Sequence, residues 1–367
     1  MTTHLDILII GGGISGLLAA RELRLAGRDV TILDKSKPGM ESSWAGGGIL
    51  LPIYPWRQAT AISELAVNSL KRYSSLSQEL LDATGIDPEW YDCGMLICKN
   101  PDYEQAVKWC EHYSIDYQPA PPALTEALGS TCHQPLWLPE IAQARNPRLL
   151  KSLHAYLVQT GVQFLDTTEI HKISVANRQI ERIETTDSNY SAQHLIVSAG
   201  AWTTDLMQDL LPDWPVDLNI KPVRGQMLLF DATPTTLDCM VLDGDQYLIP
   251  RRDGKILAGS TVEQAGFNKI TTEAAKQQLY QFATDLLPTL KSYPICHHWA
   301  GLRPGSPQGI PSIGQHPDIE NLSINAGHFR NGLVMGPASA KLLADLILQR
   351  PTEIDPTPYS LTRANAL

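Results

Sequence analysis

No stretch of this sequence approaches the roughly 18–20 consecutive apolar residues needed to cross a bilayer as a helix. The early apolar run at residues 5–10 (LDILII) passes straight into glycines. No basic segment with an apolar core and a small-residue cleavage site stands before it. Positive charge is also scarce, with 29 Lys and Arg against 39 Asp and Glu and a net charge of −10. General nucleic-acid and anionic-membrane binders depend on the opposite balance, so neither is an expected partner. The six cysteines (Cys93, Cys98, Cys110, Cys132, Cys239 and Cys296) include no CxxC and no short paired spacing. That argues against a disulfide framework or a zinc site and places the chain in a reducing cytoplasm. Internal repeats and low-complexity linkers are absent as well.

What is present is an ordinary globular composition, 43% hydrophobic and 19% charged over 367 residues, a length that predicts two domains. Residues 5–10 form a nearly continuous apolar run, the pattern of a strand buried on both faces. Gly11-Gly12-Gly13-Ile14-Ser15-Gly16 follows, then LLAARELRLAG with helical spacing, then a second strand at residues 29–34 (DVTILD). One βαβ unit is complete within the first few dozen residues. Residues 38–56 are too irregular for either period. Helices are predicted at 61–84, 102–113, 147–161, 272–287 and 332–349, with a Pro-rich passage at 118–147. Strands are predicted within 162–173, 179–186 and 194–198, and again at Leu322–Ala326. Between 219 and 259 the segments KPVRGQMLLF, DQYLIPRRDG and KILAGST read as antiparallel strands, with Asp253-Gly254 as a hairpin turn.

Gly11, Gly13 and Gly16 make G-x-G-x-x-G between strand and helix. The first glycine permits a tight turn, the second lets backbone approach a pyrophosphate, and the third brings helix and strand together. Ile14 and Ser15 open the helix, whose free N–H groups and positive dipole end suit phosphate. Asp34, followed by Lys35, ends the second strand about 20 residues on, where an acid accepts hydrogen bonds from a ribose. The alternative is a glycine-rich packing turn. An acid at this position disfavours a 2′-phosphate and hence NADP, but these residues alone leave NAD and FAD both open.

Three further segments separate the two: ESSWAGGGI at 41–49 with its sequel PIYPW, HLIVSAGAW at 194–202, and GHFRNG at 327–332. With the first turn, they resemble the D-amino acid oxidase superfamily of flavoproteins over nearly the whole chain, from about residue 5 to 345. The glycine-rich Trp44 segment is most similar to the bacterial glycine oxidases of thiamine biosynthesis. The resemblance implies an α/β fold with an α+β second domain: a Rossmann-like FAD-binding domain roofed by a mostly antiparallel substrate domain. The expected division is interleaved, with 1–85, 145–218 and 305–367 binding FAD and 86–144 and 219–304 binding substrate. Expected cofactor contacts, besides the first turn, Asp34 and Lys35, are Ser42, Ser43, Ala45, Gly46, Gly47 and Gly48. They continue with Ile170 at the adenine, then Ala199, Gly200, Trp202, His328, Asn331, Gly332 and Leu333. The 327–332 loop would aim the last helix's N-terminus at the flavin pyrimidine edge, where reduction adds negative charge. No cysteine lies between Arg303 and Arg330, where some relatives attach flavin, so non-covalent FAD is expected.

The resemblance also supplies a substrate end. Arg303, in Gly301-Leu302-Arg303-Pro304, matches an arginine that clamps a substrate carboxylate through two parallel hydrogen bonds. Tyr247 matches a tyrosine whose hydroxyl assists it. Arg330 is read three ways: its carbonyl holding the substrate amine, its side chain as a gate, or an ion-pair partner; Arg303 and Arg330 count among FAD contacts too. Val262, Trp56 and Met335 are candidate pocket walls, with ordinary core as the alternative for Val262 and Met335. The His297-His298 pair lacks ligand spacing and reads as structural, and no metal is expected. The implied reaction is oxidative deamination of glycine, sarcosine or small D-amino acids by hydride transfer to flavin N5. The imino acid hydrolyses to oxo acid and ammonia, and O2 reoxidises the flavin to give H2O2. Rival readings are a D-amino acid or sarcosine oxidase, a dehydrogenase that avoids O2, and a non-catalytic FAD-binding protein. A homo-oligomer and hand-over of product to a thiazole-forming enzyme remain open.

Overall fold

A computed structural model describes residues 2–129 and 132–363. Met1, Ser130, Thr131 and the last four residues of the expected FAD-binding domain lie outside the described residues. Two large sheets organise the chain. The first has a parallel core in the spatial order Leu322–Ala326, Asn189–Val197, Thr2–Ile10, Val30–Leu33, Gln163–Leu165, with Ser312–Gln315 antiparallel at one edge. A meander of Ile170–Ala176 and Gln179–Thr185 hangs from the start of the Asn189–Val197 strand. The second sheet runs Ile295–Gly305, Lys221–Phe230, Ile256–Gly259, Gln246–Pro250, Met240–Asp243, Met95–Ile97, Leu136–Leu138, Gln118–Pro119. Every pairing in it is antiparallel except that of Met240–Asp243 with Met95–Ile97. Strands of the two sheets alternate along the sequence, so the chain passes repeatedly between them.

The first strand shows why both faces had to be apolar. Ile7 and Ile9 face a layer of helices, Ile14–Leu25, Thr60–Thr84, Asn146–Gln159 and Gly332–Ile347, and pack with Leu17, Leu65, Leu153 and Leu343. Leu8 and Ile10 face the other way, against Leu195, Val197, Ile324 and Met207. The alternation is the strand's two-residue period, and both sides are covered because parallel strands need crossovers. The long helix Thr60–Thr84 stops at Gly85, whose φ of 68° closes it in the left-handed conformation.

Sequence expectations and structure agree on most elements, within a residue or two at helix ends. The differences are local. The 162–173 segment divides into Gln163–Leu165 and the start of Ile170–Ala176, which belong to different parts of the sheet. The irregular 38–56 region holds a one-turn helix, Ser42–Ala45, and Pro55–Arg57 as a 3-10 turn. Asp253-Gly254 does lie in a hairpin, but in a wider loop than a two-residue turn. That loop is closed by Arg251 N–H donating to Lys255 O (2.8 Å), with Gly254 at φ 87°.

Two histidines make internal bonds, one between adjacent strands of the first sheet and one to the last helix. His194 shares a hydrogen bond with Ser323 Oγ (2.9 Å), and His328 shares one with Ser339 Oγ (2.7 Å). Burial pushes the pKa of each down to about 4, with the nearby Arg28 charge adding to the effect at His194. Both are therefore neutral when folded, whereas in the unfolded chain they protonate near the ordinary value of 6.5. As pH falls, the unfolded state binds these protons first. Their stabilisation is complete above pH ~6.5 and drains away as pH drops toward about 4. We expect the urea midpoint to fall between pH 6.5 and 4, and His194→Gln to flatten that slope. A midpoint that rises on acidification to pH 5 contradicts this account.

Candidate functional site

The sheets enclose a cavity of about 610 Å3. It begins at the G-x-G-x-x-G turn. Gly11, at φ 105°, sits so close to the neighbouring strand that a Cβ there would lie 2.4 Å from Ser198 O. A Cβ on Gly16 would lie 2.0 Å from Gly11 O. Helix and strand thus touch backbone to backbone, and the helix starts directly over the turn. Asp34 locks this arrangement: one carboxylate oxygen accepts the Gly12 N–H (2.8 Å), the other the Ser36 N–H (2.8 Å) and hydroxyl (3.1 Å). Ser43 Oγ accepts the Ile14 N–H at 2.9 Å. Lys35 lies over the Trp202 ring (3.9 Å to its centroid), and Trp202 stacks on Phe267 (5.4 Å).

The cavity continues between the 41–49 segment and the second sheet. Gly46, Gly47 and Gly48, expected as cofactor contacts, line it, and the structure adds a reason for glycine at the last two. A Cβ on Gly48, at φ 88°, would fall 1.9 Å from Ala144 O, and one on Gly47 would meet Ile249 at 2.9 Å and Tyr247 at 3.2 Å. Protein neighbours already fill the space. The Gly47 carbonyl is held by Arg251 Nη2 (2.7 Å), a fully buried guanidinium whose other contact is Gln143 Oε1 (2.6 Å). Burial lowers the Arg251 pKa to about 10, helped by the nearby Arg145 charge.

At the far end, Arg303 and Tyr247 come from strands with two others between them in the second sheet. Tyr247 lies opposite Gly259, Gly259 opposite Met227, and Val223 opposite Arg303. Ser260 joins the two side chains: its Oγ accepts from Arg303 Nη2 (2.8 Å) and from the Tyr247 hydroxyl (3.2 Å). Arg303 Nη1 donates to Thr261 O at 3.1 Å. The guanidinium lies across Gly225, where a Cβ would be 2.2 Å from Nη2. Burial lowers the Arg303 pKa, against the opposing pull of Tyr247. Among the described residues it has no carboxylate in contact, so three of its five N–H groups remain for a ligand.

Every residue expected to contact cofactor or substrate lines this one cavity: Gly11, Gly13, Ile14, Ser15, Asp34, Lys35, Ser42, Ser43, Ala45, Gly46, Gly47, Gly48, Ile170, Ala199, Gly200, Trp202, Tyr247, Arg303, His328, Arg330, Asn331, Gly332 and Leu333, with the exception of Gly16. Gly16 acts from behind, through its contact with Gly11. The three expected pocket walls are elsewhere. Val262 is half exposed, Met335 is fully buried core, and Trp56 packs edge-on against Tyr54 and Trp109. Ile49, Leu51, Ile53 and Met227 line the cavity instead. The Arg330 side chain reaches Asp245, donating to its carbonyl at 3.3 Å. Sequence reasoning missed Ser260, Thr261, Gly225 and Arg251; a glycine inside the KPVRGQMLLF strand was the one readable hint of a close approach.

The residues fit a dinucleotide with a flavin. Ser198 Oγ, Asn325 Nδ2 and Asn146 Oδ1 are buried on lining residues without a hydrogen-bond partner among the described residues. Two helices, Ile14–Leu25 and Gly332–Ile347, begin at the lining with no capping bond from their own N-cap side chains and no acid in the first turn among the described residues. Such ends favour phosphate and other electron-rich groups. Replacing Gly16 with Ala is expected to force the helix away from the Gly11 carbonyl and weaken FAD binding by tenfold or more. Titration of apoprotein with FAD checks it, and wild-type affinity would show that the turn tolerates the displacement.

Known proteins agree with this geometry. The FAD dependent oxidoreductase family matches residues 6–346. A glycine oxidase of Pseudomonas aeruginosa is 40% identical over 359 residues, covering 96% of this chain and 98% of that protein. A bifunctional protein ThiO/ThiG of Nostoc is 31% identical over 95% of this chain, which spans 53% of its length. The crystal structure of glycine oxidase from Geobacillus kaustophilus superposes with a TM-score of 0.91 at 25% identity, covering 99% of this chain and all of that one. Conserved architecture, a cavity built for a dinucleotide and a family match spanning almost every element place the chain among the FAD dependent oxidoreductases.

Proposed function

We propose that this protein oxidises glycine, with sarcosine and small D-amino acids as secondary substrates. The carrying observation is the buried Arg303, held against Ser260 and Thr261 with N–H groups to spare, beside Tyr247 in the cavity wall. A carboxylate is the ligand that such a site lacks. Arg303 binds it through the planar fork, and Ser260 keeps fork and tyrosine in fixed register. FAD, when bound, supplies the two-electron acceptor that takes the substrate's α-hydrogen as hydride and passes the electrons to O2. The protein's own part is to orient the amino acid and to keep the site dry.

The overall change is glycine plus O2 and water to glyoxylate, ammonia and H2O2. The substrate amine must reach the site as the free base, because a protonated nitrogen has no lone pair to support loss of hydride. His328, the lining's histidine, is buried and neutral and engaged with Ser339. Arg330, paired with Asp245, ties the 327–332 loop to the second sheet and suits a gate better than a substrate ligand. The interleaved domain division belongs to this proposal, as do a cytoplasmic location and delivery of the product to a thiazole-forming enzyme. The match to a ThiO/ThiG bifunctional protein supports the last. Among the described residues no helix is long and apolar enough to cross a membrane.

Glycine is expected to give stoichiometric peroxide and glyoxylate, faster at pH 9 than at pH 7, with large L-amino acids inert. Anaerobic mixing should bleach the flavin. Bleaching by a bulky D-amino acid and none by glycine would move the protein to the D-amino acid oxidase reading. Arg303→Lys keeps a charge but loses the two-point grip, worth about 1.5–3 kcal/mol. Its KM for glycine should rise roughly tenfold or more, while FAD affinity stays near that of the wild type. An unchanged KM would place the carboxylate elsewhere.

A further inference from the structure

Cysteines far apart in sequence meet at the edge of the second sheet. Cys98 follows the strand Met95–Ile97, and Cys132 precedes its antiparallel neighbour Leu136–Leu138. Backbone fixes both positions. The Cys98 N–H donates to Leu242 O (2.8 Å), the His133 N–H to Cys98 O (2.9 Å), and the Asn100 N–H to His133 O (3.2 Å). Both thiols are free, and the sulfurs are 2.6 Å apart. A disulfide bond is about 2.05 Å long, so closure needs roughly half an ångström of sulfur movement. The two partners differ in access: Cys98 is buried, whereas Cys132 is partly exposed. Burial, together with the adjacent Cys132 sulfur, pushes the Cys98 thiol well up and keeps it protonated. The other four cysteines make no sulfur–sulfur contact among the described residues.

We propose that Cys98 and Cys132 form a peroxide-reactive site that closes to a disulfide. The oxidant is hydrogen peroxide, and its origin in the enzyme's own turnover rests on the function proposed above. The Cys132 sulfur attacks one peroxide oxygen, the O–O bond breaks, and water departs, leaving a sulfenic acid. The Cys98 sulfur then attacks the sulfenic sulfur, the S–S bond forms, and the hydroxyl leaves with the Cys98 proton as a second water. Two thiols and one peroxide become one disulfide and two waters. Each sulfur loses one electron, and the peroxide gains two. Cys132 meets the oxidant because solvent reaches it, and Cys98 resolves because the sheet holds it alongside.

The bond would join residues 34 apart in sequence. It would staple the strand edge that, through Met240–Asp243, adjoins the strand carrying Tyr247. Constraining the unfolded chain in this way stabilises the fold. The product of the reaction would thereby strengthen the roof of the site that made it.

The test uses the wild-type holoenzyme, treated with hydrogen peroxide and mapped by peptide mass spectrometry after non-reducing alkylation. A Cys98–Cys132 linked peptide, two fewer free thiols, reversal by dithiothreitol and a higher thermal midpoint in the oxidised form are expected. Three results overturn the proposal: all thiols still free, a link to a different cysteine, or Cys132 driven to sulfinic or sulfonic acid with Cys98 still alkylatable. Cys98→Ser should stop the chemistry at a sulfenic acid on Cys132 that dimedone captures; no adduct there overturns the assigned order. A parallel incubation with glycine and O2, with and without catalase, separates the two claims. If glycine generates no peroxide, the activity reading fails, while added peroxide still decides the thiol pair.

Discussion

A guanidinium buried among neutral oxygens is costly unless something repays its lost hydration. Arg303 is in that position. Its contacts are a serine hydroxyl and a backbone carbonyl, and burial already lowers its affinity for the proton. The second sheet is arranged around this constraint. Gly225 has no side chain, so the planar group can lie on the backbone, and Gly259 has none, so Tyr247 and Met227 can close in beside it. Glycines inside strands ordinarily weaken a sheet. Here they convert the face of the sheet into a cation-lined wall, and the remaining demand for negative charge falls on whatever enters the cavity.

The opposite end solves the complementary problem with no cationic side chain at the turn. The Gly11–Gly16 contact sets the helix over the turn, and Asp34 spends both carboxylate oxygens on backbone and hydroxyl donors. The expected role of Asp34 was toward ribose. Its observed bonds show an additional task, since the Gly12 N–H must be held for the turn to keep its shape. The oxygen that holds Gly12 accepts one bond and has room for another, so the two tasks are compatible.

How far the sequence could be read follows from the range of the interactions involved. The glycine turn, the first strand and the long helices announce themselves through local spacing, and the structure reproduces them. Tyr247 and Arg303 were legible only through resemblance, because nothing local brings their two strands into one sheet. Ser260 had no signal at all: its importance arises from lying between two side chains that belong to different strands. The same holds for Arg251, which reaches Gly47 across 204 positions of sequence. Val262, Trp56 and Met335 were misplaced as walls because an apolar residue near a motif can face the core or the solvent as readily as the cavity. Met335 illustrates this, since it sits on a helix that starts at the lining but turns its side chain into the helical layer. Gly47 and Gly48 have a reason to be glycine that no local pattern carries: a side chain there would meet Ala144, Ile249 or Tyr247.

The enclosure itself depends on contacts that cross between the sheets. Trp299 donates to Ala45 O at 3.1 Å, Ala144 N–H to Gly48 O at 2.9 Å, and Lys269 pairs with Glu41 at 2.9 Å. The first binds the 41–49 segment to the second sheet, and the second binds it to the residues that lead into the helix Asn146–Gln159. The Lys269–Glu41 pair is exposed and contributes little to stability. It and the Phe267–Trp202 stack bring the 262–271 loop against cavity-lining residues. A small substrate without a side chain gains little hydrophobic energy, about 0.8 kcal/mol per buried CH2. Its binding must come from charge, and charge is effective only where water is excluded. Burial of Arg303 in the cavity wall supplies that condition.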